Sequence, residues 1–385
     1  MHSEYAEIKD EIINIRRQIH MHPELGYEEV KTAVLICSVL GKYGISYKSG
    51  IAKTGIVATI GKKEDKVLLI RADMDALPIA EKTNLPFASK SKGIMHACGH
   101  DIHIASALAC AILLKKHEHL LQGSVKIVFQ PAEESIGGAM PMIEEGILDM
   151  PKVTCAIGGH ISPELEVGKI KIKDGALMAS PDDFAIKFTG KSTHGAEPQN
   201  GISPILPAAE MVLRCKQIEK ELSKGTHNVL SVCTVSANGS VNIIPEDAVI
   251  LGTFRSFDDV SRNRACELIR TNAEEISKKH GTVVEYKYNF LYPPVINDPA
   301  VTTAIIDAAN SVIGSENVIV MSKPLMTGED FSYFGRYVPS SFFWYGGKSN
   351  IGAPLHSAEF VANEDAIEVC TKIFLEFAKN YLESK

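Results

Sequence analysis

The stretch Val67-Leu68-Leu69-Ile70-Arg71-Ala72-Asp73-Met74-Asp75 reads as a short apolar strand that runs out into two aspartates. An unbroken apolar run of this length suits a strand covered on both faces. Two later runs have the same form. Val125-Lys126-Ile127-Val128-Phe129 leads into Gln130-Pro131-Ala132-Glu133-Glu134, and Val153-Thr154-Cys155-Ala156-Ile157 leads into Gly158-Gly159-His160. Helical patterns over 101–118 and 138–147 lie between them. This alternation predicts an α/β fold with a mostly parallel, helix-covered sheet. Ligands of such sheets bind beyond the carboxyl ends of the strands. Asp73 and Asp75, Glu133 and Glu134, and His160 are therefore expected at one sheet edge.

Working outward, Ile8, Ile12, Ile15 and Ile19 recur at helical spacing and predict an amphipathic helix over 4–20, stopped by His22-Pro23. A second helix is expected over 28–42. The pattern changes near 183. Phe184-Ala185-Ile186-Lys187-Phe188 alternates as a half-buried strand; a helix fits 203–223, strands 228–236 and 247–256, a helix 259–280 and a strand 282–290. The order β-α-β-β-α-β is the ferredoxin-like arrangement. Tyr292-Pro293-Pro294 marks its exit, and a helix over 298–313, a strand over 341–345 and a helix over 363–382 resume the first style. The expected organisation is a discontinuous main domain, 1–182 plus 296–385, with an inserted domain at 183–295.

Composition narrows the function. At 385 residues, 45% hydrophobic and 23% charged, the chain has globular composition and room for about two domains. The net charge of −7 argues against a nucleic-acid partner, which needs a basic face. The longest apolar run, Ile104 to Leu114, is too short for a membrane span, and no apolar segment follows the polar start Met1-His2-Ser3-Glu4-Tyr5 to suggest a signal peptide. Eight cysteines stand singly, most within apolar runs, which predicts a reducing, cytoplasmic setting.

The chemistry concentrates in His96-Ala97-Cys98-Gly99-His100-Asp101-Ile102-His103. One thiol, three imidazoles and a carboxylate in eight residues suit a borderline metal such as zinc. Taken alone, Cys98 and His100 fit either a metal site or a loop with a buried thiol and a hydrogen-bonded imidazole. Adjacent carboxylates at Glu133-Glu134 usually form a solvated face; here they end an apolar strand, where like charges need a cation or a shared proton. His160 and His356, the latter in Leu355-His356-Ser357-Ala358-Glu359-Phe360, each say little singly. Together the five side chains form a candidate ligand set.

These residues bear a resemblance that runs the length of the chain. It rests on Arg16-Arg17-Gln18-Ile19-His20-Met21-His22-Pro23-Glu24, Arg71-Ala72-Asp73-Met74-Asp75-Ala76-Leu77-Pro78, His96-Ala97-Cys98-Gly99-His100-Asp101, Gln130-Pro131-Ala132-Glu133-Glu134, Ser192-Thr193-His194-Gly195 and the His356 segment. The chain resembles the dinuclear metallo-amidohydrolases and metallopeptidases that include aminoacylases and glutamate-releasing carboxypeptidases, and within them the hippurate hydrolase and indole-acetyl-amino-acid hydrolase branch. The resemblance implies a metallopeptidase-like catalytic domain with an inserted lid or dimerisation domain, and a homodimer or higher homo-oligomer formed through that domain. It implies two divalent metals, zinc or manganese first, cobalt or nickel as alternatives, held by Cys98, His100, Glu134, His160 and His356. It further implies Glu133 as general base and Asp75 as the aspartate that orients a metal ligand. Other branches place a histidine ligand at the position of Asp73, so the role of Asp73 stays open, and Ile161-Ser162-Pro163 replaces the aromatic sequence usual after His160.

In the inserted domain, the resemblance implies that His194 donates to the tetrahedral oxyanion, in its own or a partner's site, and that Arg255 clamps a substrate carboxylate with Asn242 alongside. Gly328 is expected to shape the pocket through its backbone. The implied reaction is hydrolysis of a small N-acyl amino acid. A dipeptidase or carboxypeptidase on the same metals, a thiol-nucleophile amidase using Cys98, and a non-catalytic metal- or ligand-binding protein are the alternatives.

Overall fold

The computed structural model of the chain describes residues 2–224 and 226–383. Its main strands, in chain order, are β1 (Ser46–Ile51), β2 (Gly55–Ile60), β3 (Val67–Asp73), β4 (Ser124–Gln130), β5 (Cys155–Ser162), β6 (Ile170–Ile172), β7 (Ser180–Thr189), β8 (Val229–Ser236), β9 (Asp247–Ser256), β10 (Val283–Asn289), β11 (Val318–Val320) and β12 (Ser340–Gly346). The helices are α1 (Tyr5–Met21), α2 (Val30–Lys42), α3 (His100–Lys116), α4 (Ala139–Glu144), α5 (Ile205–Leu222), α6 (Asp259–His280), α7 (Pro299–Ile313) and α8 (Ala366–Glu383). Two compact units emerge. One comprises the chain up to Leu177, Ile296–Pro324 and the chain from Asp330 onward; the other comprises Met178–Val295 and Leu325–Glu329. None of the described helices is long and apolar enough to cross a membrane.

The larger unit is built on an eight-stranded sheet in the order β1-β2-β4-β3-β5-β12-β6-β11. The four central strands, β4, β3, β5 and β12, run parallel, and antiparallel partners close both flanks. Every residue of β3, β4 and β12 is buried, as unbroken apolar runs require. The helix α3 is buried from His100 to Leu114 and lies against α1, α8 and β3. With no polar face, it forms part of the core. By contrast, α1 buries one stripe, including Ile12, Ile15 and Ile19.

Register places the site. Asp73 pairs with Gln130, and Arg71 pairs with Gly158, so the carboxyl ends of β3, β4 and β5 finish together. One expectation is corrected here. The strand read as ending at Ile157 continues through Gly158-Gly159-His160 to Ser162. The two glycines are a packing feature: a Cβ at Gly158 would lie 2.8 Å from the Phe342 ring, and one at Gly159 3.1 Å from Phe343. Bulky residues of β12 thus demand bare backbone on β5, and the absence of side chains there hides a buried strand.

The smaller unit carries an antiparallel sheet in the order β8-β9-β7-β10, with α5 and α6 packed on it. Alternate residues of β7 are buried, so one face meets a core that includes Phe184, Ile186, Met211, Phe254 and Ile269. The strand order is that of a ferredoxin-like βαββαβ unit. The sequence reading began this unit at 183; the compact unit also takes in Met178–Asp182 and Leu325–Glu329.

Candidate metal and active site

Five side chains from five places in the larger unit converge at the carboxyl edge of its sheet. Cys98 ends the loop before α3, and Gly99 turns the chain so that His100 opens the helix. Gly99 has φ +83°, and a Cβ there would lie 2.6 Å from Ile161 Cγ2. Only glycine fits between this thiol and this imidazole. His160 comes from β5, Glu134 from the turn after β4, and His356 from a loop in which it adopts φ +61°. A non-glycine residue held in that region is strained and persists where its surroundings fix it.

The ligand atoms are close. Cys98 Sγ lies 3.3 Å from His160 Nε2 and 3.3 Å from His356 Nε2. His356 Nε2 lies 3.0 Å from Glu134 Oε1, which lies 3.9 Å from His100 Nε2. Tetrahedral ligands at bond lengths of 2.0–2.3 Å sit about 3.3–3.8 Å from one another, so the spacing matches that of donors around a cation. The donors fall into overlapping groups: Cys98, His100 and His160; Cys98, Glu134 and His356; and His100, Glu133 and Glu134. Cys98 is common to two of them, and His100 to two.

Electrostatics point the same way. Glu134 Oε1 and His100 Nε2 are buried without a hydrogen-bond partner of proper geometry among the described residues. Such orphans need an explanation, and a bound cation supplies one. Burial opposes charge on His100, but Asp73, Asp75 and Glu134 outweigh it and push the imidazole up to about 10. Burial likewise opposes charge on Glu134, yet His356 and His100 hold it down to about 2. A pocket that drags a buried imidazole into its charged form is short of positive charge. Burial, with His103 beside it, keeps His160 neutral by lowering it to about 3, the form that ligates metal. Burial first, then Glu134, pushes the Cys98 thiol well above its usual range. A thiolate there needs a cation as partner.

Around the donors stands a bracing layer. Asp75 is 1% exposed. Its Oδ1 lies 3.3 Å from His100 Nδ1, and its two oxygens accept the backbone N–H groups of Glu133 and Glu134 at 3.0 and 2.9 Å. One carboxylate thus aims an imidazole and fixes the turn that carries both glutamates. Asp73 does different work. Its Oδ1 accepts from His103 Nδ1 at 2.5 Å, and the other nitrogen of that ring accepts the Ile161 N–H at 3.1 Å. Both nitrogens of His103 are therefore engaged, and the ring is a strut between β3 and β5. Asp73 Oδ2 accepts from Arg71, whose guanidinium reaches Asp330 at 2.8 Å; Asp330 in turn accepts from Gln130 and from the Gly138 and Ala139 N–H groups. This buried lattice of Arg71, Gln130 and Asp330 was missed in the sequence. Its one signal is the placing of Arg71 and Gln130 within the last residues of buried strands.

The residues expected from the inserted domain do not gather at one place within the smaller unit. His194 is exposed and pairs with Ile243 in a two-residue ladder, while the Gly195 N–H donates to the Asn242 carbonyl at 2.7 Å. His194 and Asn242 are thus neighbours. His194 Nδ1 accepts the Ala196 N–H at 3.1 Å, which leaves the ring proton on Nε2 as a donor. Arg255 sits at the other end of the sheet. Asp247 pairs with Thr189 but Arg255 pairs with Pro181, eight residues along β9. At about 3.3 Å per residue these ends lie roughly 26 Å apart. The expectation that Asn242 joins Arg255 in one clamp is therefore corrected: within one chain they occupy opposite ends. Gly328 lies at the Arg255 end, where a Cβ would come within 2.8 Å of Pro181. Arg255 is half-buried, and its Nη1 is buried without a hydrogen-bond partner among the described residues.

A family model described as peptidase family M20/M25/M40 matches residues 69–380. An N-acetyl-L-cysteine deacetylase of Bacillus subtilis (strain 168) is 37% identical over 381 residues, covering 98% of this chain and 90% of its own length. Thermostable carboxypeptidase 1 of Saccharolobus solfataricus is 37% identical over 376 residues, covering 95% of this chain and 94% of its own. Among solved structures, a Bacillus subtilis dinuclear metal-binding peptidase matches with a TM-score of 0.85 at 37% identity, covering 99% of this chain and 100% of that one.

Proposed function

The chain belongs to peptidase family M20/M25/M40, and from that membership we propose that it hydrolyses the amide bond of N-acyl amino acids at a site of two divalent metal ions. The observation that carries the reading is the convergence of Cys98, His100, Glu134, His160 and His356 in overlapping groups that share Cys98. Two cations held by such groups would be neighbours. Divalent metal supplies, when bound, a water acidic enough to react at neutral pH and a polarised carbonyl.

The chain's own residues do the rest. Glu133 is 8% exposed, next to Glu134 and within the same donor group as His100. It takes the proton of the attacking water and returns it to the leaving nitrogen. Adjacent carboxylates would divide the work because Glu134, turned towards His356, would be neutralised by holding a metal ion. Asp75 keeps His100 and the 133–134 turn aligned. His194 donates from Nε2 to the oxyanion, serving the site of a second copy in a homodimer; the exposed Val235 on the edge strand β8 and the exposed Leu206 and Leu213 on α5 suit such an interface. Arg255 receives the substrate carboxylate in its guanidinium fork.

Zinc is the first candidate metal, since one thiolate and three imidazoles make a soft donor set; manganese follows, then cobalt or nickel. Eight free cysteines suit a reducing cytoplasm. A thiol nucleophile is disfavoured because burial, and then Glu134, raise the Cys98 thiol, so that a thiolate there calls for a bound cation.

The test is elemental analysis of the purified protein, followed by assay of each reconstituted metal form on acetyl-, benzoyl- and aminoacyl-amino acids. Two metals per chain and turnover of acyl-amino acids are expected. Preference for aminoacyl substrates would move the reading to a peptidase, in line with the carboxypeptidase relative; activity that survives complete metal removal would end it.

A further inference from the structure

The segment Gly26-Tyr27-Glu28-Glu29 links α1 to α2, and no role assigned above uses it. It lies against the turn that carries Glu133 and Glu134 and holds that turn at both ends. At the first end, one oxygen of Glu29 accepts the Ala132 N–H at 2.9 Å, and the other accepts the Thr54 hydroxyl at 2.6 Å. At the far end, the Tyr27 hydroxyl donates to the Gly137 carbonyl at 2.8 Å. Between them, Gly26 passes so close that a Cβ would lie 2.5 Å from Ser135 Oγ and 3.0 Å from Ala132 Cα.

Two features show that this contact is more than packing. Ala132 is fully buried with φ +58°, a conformation an alanine does not keep without support. Its N–H is the group that Glu29 grips, one peptide before Glu133. Glu29 itself is a fully buried carboxylate that accepts from neutral groups, the Ala132 N–H and the Thr54 hydroxyl among them. Burying such a group is unfavourable, and a hydrophobic residue would pack there at less cost. Its presence is explained if the acceptor is needed to set the turn.

We propose that Glu29 is a positioning residue for the general base. Through the Ala132 peptide it fixes the direction in which the Glu133 carboxylate leaves the turn, and Tyr27 pins the turn's far end. The proposal rests on the reading of Glu133 as base. Glu134 has a second anchor in Asp75, which accepts its backbone N–H at 2.9 Å, so metal content is expected to survive the loss of Glu29.

The test is steady-state kinetics on an N-acetyl amino acid, with elemental analysis, of the metal-loaded Glu29→Ala, Glu29→Gln, Tyr27→Phe and Glu133→Gln variants. Glu29→Ala lowers kcat about ten- to hundredfold with KM nearly unchanged and native metal content, the loss expected from a small misplacement of a reacting group. Glu29→Gln keeps an acceptor for the Ala132 N–H and recovers most of that loss; a fall in kcat that glutamine does not relieve overturns the proposal. Native kcat in Glu29→Ala, or loss of metal in parallel with kcat, also overturns it. If Glu29→Ala does not fold, Tyr27→Phe carries the test, with kcat down about threefold at full metal content; native kcat there refutes the cradle. Glu133→Gln separates the two readings. If it retains kcat, the base assignment itself fails; if it loses kcat while Glu29→Ala does not, only the positioning claim is lost.

Discussion

In the larger unit, Asp75 is buried and holds His100 and two backbone N–H groups at once, whereas in the smaller unit His194 and Asn242 are exposed and hydrogen-bond to neighbours in their own turns. Three of the candidate metal ligands carry a second restraint. Asp75 steadies His100, the Ile161 carbonyl fixes His160 Nδ1 at 2.8 Å, and a left-handed backbone sets His356. His194 and Asn242 are exposed, and their hydrogen bonds run to neighbours in the same short turns. On the proposed function, the difference separates two tasks. Groups that hold ions against mutual repulsion must be in place before the ion arrives, because a loose donor set is filled by protons instead. Groups that meet a substrate only in the transition state can wait on the surface.

The sharpest way to break that comparison is to remove the ions or their shared ligand. Exhaustive chelation is expected to abolish activity and to lower the melting temperature, since bound metal stabilises only the folded chain. Cys98→Ala should do likewise at stoichiometric metal, because the thiol belongs to two donor groups. Metal content followed by elemental analysis and melting followed by calorimetry check both. Next in size is Glu133→Gln, which should lower kcat by about 10²–10⁴ while both metals stay bound. Parallel loss of metal would make Glu133 a ligand and erase the division of labour between the two glutamates.

How much of this was legible in the sequence follows the same divide. The converging side chains were legible because each sits at a punctuation mark: Glu134 just beyond an apolar run and Cys98 and His100 about a glycine, with the bracing Asp75 at the end of another such run. The parallel sheet was readable from those same runs. The strand character of Gly158-Gly159-His160 was not, because glycines carry no periodicity and their reason lies in Phe342 and Phe343, far along the chain. Nor was the strut formed by His103, since a histidine on an apolar helix looks alike whether it binds metal or bridges Asp73 to Ile161. In the smaller unit the elements were readable, but the pairing of Asn242 with Arg255 failed. A strand places residues far apart in space in proportion to their separation, and its register with Thr189 and Pro181 decides which end each occupies.

On the exposed side, His194→Ala is expected to lower kcat by about 10²–10³, the usual loss for one oxyanion donor, with metal content and melting temperature unchanged. His194 is exposed, so a drop in stability would show it to be structural. If His194 serves a second copy, mixing His194→Ala with Glu133→Gln protein should restore part of the activity through mixed dimers. Each inactive parent then supplies what the other lacks, and size-exclusion chromatography with activity of the mixture reads the result.

The smallest effect is assigned to Arg255. Its Nη1 is buried yet bonded to no described residue, and burial lowers its pKa, so the folded chain holds a guanidinium at some disadvantage. The proposed substrate carboxylate would supply the partner that this nitrogen lacks. Arg255→Ala should therefore leave the melting temperature unchanged or slightly raised, because a poorly satisfied buried donor is removed. Losing one charge-assisted pair should raise KM for N-acyl amino acids about 10- to 100-fold and leave KM for the corresponding amides, which lack the carboxylate, nearly untouched. Arg255→Lys should recover little, since a point charge does not reproduce a planar two-toothed grip. An equal rise in KM for acid and amide would show that Arg255 shapes the sheet rather than reads the substrate.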